Sequence, residues 1–198
     1  MRYFSPVLVV MAALTLQAPT ADAIPITFAT TLSGANEVPP ISTTATGIAT
    51  VVLDTAAHTI SIAATFNGLS SNDTAAHIHC CQPLGTNAGV ATTLPAFQGF
   101  PLGVTSGTYP ATVFDLTQAL IYNPAFVTAN GGTLAGAEAA LEAGMLAGMT
   151  YFNIHTMINP GGEIRGQLFQ AAAVPEPASL VILGSALVGF CAVRRRRR

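Results

Sequence analysis

The two ends of this chain decide what its middle can become. Ala178 to Val193 is an uncharged, largely apolar run of 16 residues, and Arg194 to Arg198 follow it without a break. As a helix the run would rise about 24 Å, slightly short of a hydrocarbon core, and flanking arginines can snorkel to make up the difference. Five arginines behind an apolar segment favour the cytoplasmic side. At the other end Arg2 precedes an apolar stretch, Val7 to Leu16, that is too short to span a bilayer stably. Ala21-Asp22-Ala23 then supplies the small-x-small spacing that signal peptidase cuts. We therefore expect residues 1–23 to be a signal peptide cleaved after Ala23, residues 24–173 to be the folded domain, and residues 174–198 to be a tail. Segment 178–193 of that tail would cross the inner membrane transiently. An uncleaved anchor is the alternative at either end. The middle is long enough to bury about two-thirds of its extended-chain surface, so it needs neither metal nor disulfide merely to fold.

Between the domain and the apolar run stand Val174-Pro175-Glu176-Pro177. Their two prolines hold the chain stiff and extended, which suits a protease substrate. The order of these residues, an apolar helix and an arginine cluster resembles the PEP-CTERM sorting signal of Gram-negative bacteria. The resemblance implies recognition by an exosortase-type membrane protease, removal of the helix, and release or anchoring at the cell surface. Such systems accompany exopolysaccharide production, so exopolysaccharide and other envelope components become candidate partners.

Charge narrows the function classes. All seven basic residues are arginines, and only Arg165 lies between the two ends. Against it stand Glu37, Asp54, Asp73, Asp115, Glu138, Glu142 and Glu163, so the domain carries a net charge of −6, one arginine less seven acids. An acidic domain repels phosphate backbones, which excludes nucleic acid as a partner.

Period-two patterning dominates the first half of the domain. Ile26, Phe28, Thr30 and Leu32 alternate with smaller residues, Gly47–Leu53 is rich in β-branched side chains, and Ile60, Ile62, Ala64 and Phe66 fall on one face of 59–66. With a turn over Asp54–His58, the last two segments predict a hairpin. Ala75–His79 is a further short strand candidate. Residues 80–114 are rich in Gly, Pro and Thr and read as a long loop with one strand near Val90. Asp115 and Gln118 have capping-box spacing before a helix over Leu116–Tyr122. Thr133 can cap a helix through about Ala147, with Leu134, Ala137, Leu141 and Met145 on one face. Tyr151–Met157 and Glu163–Phe169 are strands around the turn Asn159-Pro160-Gly161-Gly162. Together they predict a mainly β chain: a β-sandwich or barrel with a helical insertion before the closing hairpin.

Three blocks resemble the CHRD domain, found in chordin and in many bacterial secreted proteins. They are Leu32–Pro40 (LSGANEVPP), Ala76–His79 (AHIH), and Tyr151–Thr156 with Pro160–Leu168 (YFNIHT and PGGEIRGQL). The resemblance runs from about Phe28 to Phe169 and implies an immunoglobulin-like β-sandwich or barrel. It implies no settled activity. Many members follow the histidine pair with glycines; Cys80-Cys81 stand there in this chain.

The candidate chemistry gathers around that pair. On a strand His77 and His79 share a face about 7 Å apart, a spacing that lets two imidazoles meet one metal. His155, on another strand, is a candidate third ligand, and Cys80, Cys81 or Met157 would add soft sulfur, so copper or zinc is the candidate metal. The competing reading is a buried hydrogen-bonding cluster that fixes strand ends. For Cys80 and Cys81 three options stay open: a vicinal disulfide, an intermolecular bridge, or metal thiolates. Arg165 is read as a buried strut or a surface partner of Glu163, and Glu138 and Glu142 as an i,i+4 pair facing water. No nucleophile–base pair can be named, so a binding or structural role is favoured over an enzyme.

Overall fold

The computed structural model describes residues 24–172. The cleavage position after Ala23, the sorting residues Val174 to Pro177 and the apolar segment 178–193 lie outside the described residues. Within them no helix is long and apolar enough to cross a membrane.

β1 (Ile26–Ser33), β2 (Thr46–Asp54) and β3 (Thr59–Asn67) are antiparallel neighbours, with Phe28 opposite Val51 and Val51 opposite Ile62. β4 (Asp73–Cys80), β5 (Gly89–Val90) and β6 (Gly107–Asp115) follow. Two helices, α1 (Pro124–Ala129) and α2 (Leu134–Leu146), precede β7 (Thr150–Thr156), β8 (Ile164–Gln167) and β9 (Phe169–Gln170). In space the order is β5-β4-β7-β8-β1-β2-β3-β6, with β9 also on β1. The antiparallel sheet curls into a half-barrel, so the chain is mainly β and sandwich- or barrel-like, with the helices inserted before the closing β7–β8 hairpin.

The curl lets one face of the sheet close on itself. Phe28, Val51, Leu53, Ile60 and Ile62 from one half, and Ile78, Phe152, Ile154 and Ile164 from the other, are fully buried. Phe97, from the long connection between β5 and β6, fills the middle and lies nearly parallel to Phe152, ring centroids 5.9 Å apart. Each such side chain contributes about 1.5–3 kcal/mol when fully buried. α2 adds Ala137, Leu141 and Met145 to the core, and its first turn is capped by Thr133 Oγ1, which accepts from the Gly136 amide at 3.1 Å.

Three details differ from the sequence reading. Residues 80–114 are not loop throughout, because Gly107–Asp115 forms the nine-residue strand β6 against β3. β6 ends the strand order, and an edge position tolerates Pro110, the residue that masks it in sequence. Leu116–Tyr122 is not an α-helix: Asp115 Oδ1 accepts from Thr117 N at 2.8 Å, and only a 3-10 turn over Ala119–Ile121 forms. Glu138 does not face water; it is buried and meets His58 Nδ1 at 2.7 Å.

Candidate metal centre

β4 and β7 pair so that His77 lies opposite Asn153, His79 opposite Tyr151, and Ala75 opposite His155. Strand alternation therefore puts His77, His79, Tyr151, Asn153 and His155 on one face, turned away from the apolar core. β8 extends that face, with Arg165 opposite Asn153 and Gln167 opposite Tyr151. All of these side chains are buried.

The three histidines converge. One ring nitrogen from each can be chosen so that all lie within 4.8 Å of one another. Ring centroids are 4.5 Å apart for His77–His155, 4.9 Å for His77–His79 and 5.7 Å for His79–His155. Two rings are anchored from behind: His79 Nδ1 lies 2.8 Å from the Ala88 carbonyl, and His155 Nδ1 lies 3.0 Å from the Pro160 carbonyl. A carbonyl only accepts, so both Nδ1 atoms carry the proton and both Nε2 atoms present a lone pair. His79 Nε2 meets His77 Nδ1 at 3.1 Å, whereas the buried His155 Nε2 has no hydrogen-bond partner. Holding the outer nitrogen on a carbonyl is how proteins orient imidazole ligands.

Burial also sets protonation. It pushes His77 down to about 3, aided by His155 and His79. It lowers His79 to about 4 against the opposing Ala88 hydrogen bond, and lowers His155 against that of Pro160. The cluster is neutral at physiological pH, the state a metal requires of imidazole.

Segments 34–38 and 87–88 cover this polar face. Arg165 donates from Nε to the Asn36 carbonyl at 2.6 Å and from a terminal nitrogen to Asn87 Oδ1 at 2.8 Å. Its guanidinium sits 4.4 Å from the centre of the Tyr151 ring, whose other neighbour is the His79 ring, stacked at 4.6 Å. Arg165 is thus a buried strut and not a partner of Glu163. Glu163 instead accepts from Thr43 Oγ1, Ser70 N, Ser70 Oγ and Thr156 Oγ1 at 2.7–2.8 Å. Burial raises Glu37 to about 7, against the pull of Arg165 and Asn153. Glu37 Oε1 and Asn153 Oδ1 are buried without partners, and a Cβ on Gly162 would stand 2.8 Å from each of them. The backbone of the Asn159–Gly162 turn thereby closes against the polar face.

The sulfurs do not join the histidines. Cys80 and Cys81 form a disulfide with each other; Cys80 points to the core side of β4, next to α2. Met157 is 70% exposed. Tyr151, Asn153 and Glu37 belong to the setting of the site and were not singled out from the sequence, although the i, i+2, i+4 spacing of Tyr151, Asn153 and His155 already puts them on one strand face.

The family model of the CHRD domain matches residues 28–168, and that of the PEP-CTERM protein-sorting motif matches residues 173–198. Neither the curated proteins nor the solved structures contain a match to the chain. The sorting motif marks an exported protein, directed to the cell surface through exosortase, a membrane protease. With the domain match spanning most of its length, the chain belongs to the CHRD domain family.

Proposed function

We propose that this domain is a metal-binding module of the cell surface in which His77, His79 and His155 hold one copper(I) ion, with zinc as the second candidate. The observation that carries the reading is convergence: three buried, neutral imidazoles offer nitrogens within 4.8 Å of one another, and one of them, His155 Nε2, has no other partner. Metal–nitrogen bonds of about 2.0–2.1 Å put ligand nitrogens about 3.3–3.6 Å apart, so small ring rotations close the site. Imidazole suits both metals. A buried set of neutral ligands favours the single charge of copper(I), because desolvating a doubly charged ion without a carboxylate ligand costs more.

The domain purified from the envelope should carry close to one copper per chain. His77→Ala/His79→Ala should lose the metal and keep the strand signal in circular dichroism. A metal-free protein that does not take up copper(I), together with a double variant that unfolds, would assign the histidines to hydrogen bonding alone.

We further propose that segment 178–193 spans the inner membrane only until exosortase acts. The domain then remains in the envelope or exopolysaccharide layer in a binding or structural role. The intact mass of the surface protein should begin at Ile24 and lack the arginine tail. Retention of Arg194–Arg198 at the surface would mean a permanent anchor.

A further inference from the structure

A second chemical group lies on the opposite face of β4. We propose that the Cys80–Cys81 disulfide is a reversible exchange site for a small uncharged thiol or dithiol, and not a staple of the fold. A disulfide stabilises a protein mainly by closing a loop in the unfolded chain, and the effect grows with loop length. This one joins adjacent residues and closes no such loop. Its surroundings are nevertheless built to fit it. α2 crosses directly over the sulfurs at Gly144, where any Cβ would collide with both of them.

Access is one-sided. Cys80 is 6% exposed, whereas Cys81 is half-buried. Both line a cleft of about 390 Å³ whose other walls include Val90, Asn123, Ala125, Phe126 and Asn130. That volume is in the range of small-molecule sites. No charged residue lines the cleft, and the domain around it is acidic, so an anionic thiol is disfavoured relative to a neutral one.

The exchange is balanced without any further reagent. A thiolate of the ligand attacks Cys81 Sγ; the new S–S bond forms as the Cys80–Cys81 bond breaks, and the electron pair leaves on Cys80 Sγ, which takes a proton from water. With a dithiol, the second thiolate attacks the ligand's own sulfur in the mixed disulfide and expels Cys81 as a thiolate. The ligand leaves oxidised by two electrons, and Cys80 and Cys81 are the reduced pair. The sulfurs and the histidines face opposite sides of β4, so the exchange stands apart from the metal reading.

The test uses the whole chain in detergent, with alkylation mapped peptide by peptide so that Cys191 is scored separately. Dithiothreitol should open Cys81 to iodoacetamide, well ahead of the covered Cys80, while circular dichroism stays unchanged. 2-Mercaptoethanol should react about tenfold faster than glutathione at equal thiolate concentration. Cys80→Ser should form a mixed disulfide with hydroxyethyl disulfide at Cys81 about tenfold faster than Cys81→Ser does at Cys80. Resistance of the pair to dithiothreitol until denaturant is added, a preference for glutathione, or faster reaction at Cys80 would each overturn the proposal. If the serine variants do not fold, the wild-type labelling alone decides.

Discussion

The two halves of the sheet use the same backbone differently. In β2 and β3 burial alternates: Val51, Leu53, Ile60 and Ile62 are sealed, while Ile48 and Thr65 look outward. In β7 and β8 every residue is buried. One face of this second half is apolar, with Phe152, Ile154 and Ile164; the other is polar, with Tyr151, Asn153, His155 and Arg165 beneath the 34–38 and 87–88 segments. A sheet half open to water lets solvent satisfy its outward side chains. A half covered on both faces must find a partner for every buried donor and acceptor. His155 Nε2, Asn153 Oδ1 and Glu37 Oε1 lack one on the covered polar face and its lid, and Asp73 Oδ2 and Thr150 Oγ1 lack one at the starts of β4 and β7. Three of those five atoms lie together on the polar face that carries the histidine cluster, which supports the proposed metal site.

The comparison is broken most severely through the apolar face that both halves share. Phe152→Ala should cost about 3–5 kcal/mol in chemical denaturation, since Phe152 is fully buried between Phe97 and the sheet. A loss near that of a surface residue would mean that the halves do not share one core.

Next comes the lid. Burial holds Glu37 at about 7, above its ordinary 4.5, so the folded state binds a proton that the unfolded state has released. Stability from this group is full below pH 4.5 and is lost as pH rises through 7, on the order of 2–3 kcal/mol. Glu37→Gln should remove that decline from the pH–stability curve; a curve identical to wild type would place Glu37 in water.

Glu163 works in the opposite sense. Burial acts to raise it, but the donors of Ser70, Thr156 and Thr43 outweigh burial and hold it below its ordinary value. Its stability is present above pH 4.5 and is lost as pH falls through the depressed value. Glu163→Gln should cost about 2 kcal/mol at neutral pH and flatten the acid limb of the same curve. The smallest effect belongs to the open half: Ile48→Thr, at a position 56% exposed, should change stability by less than about 0.5 kcal/mol. A larger loss would show that this face is covered as well.

The same contrast explains what could be read in advance. β1, β2 and β3 were legible because one-sided burial writes a period of two into the residues. The Thr133 cap and the apolar stripe of α2 were legible for the corresponding helical reason. β6 was not, because Gly107 and Pro110 are turn residues everywhere except on an edge strand, and which strand lies at the edge is a property of the assembled sheet. Leu116–Tyr122 carried a capping pattern that Asp115 instead uses on Thr117 at the end of β6. Glu138 looked like a solvated helix residue until the β2–β3 turn brought His58 onto it.

The chain's linear order was enough to determine its address, its acidic character and the pairing of His77 with His79 on one strand face. Those follow from local hydrophobicity, net charge and strand geometry, none of which needs a distant contact. Bringing His155 to that pair, covering the polar face with segments 34–38 and 87–88, and turning the two sulfurs to the other side were decided only by the tertiary structure. The reason is sequence separation: β4 and β7 meet across some seventy residues, and only the register of their pairing fixes which side chains share a face.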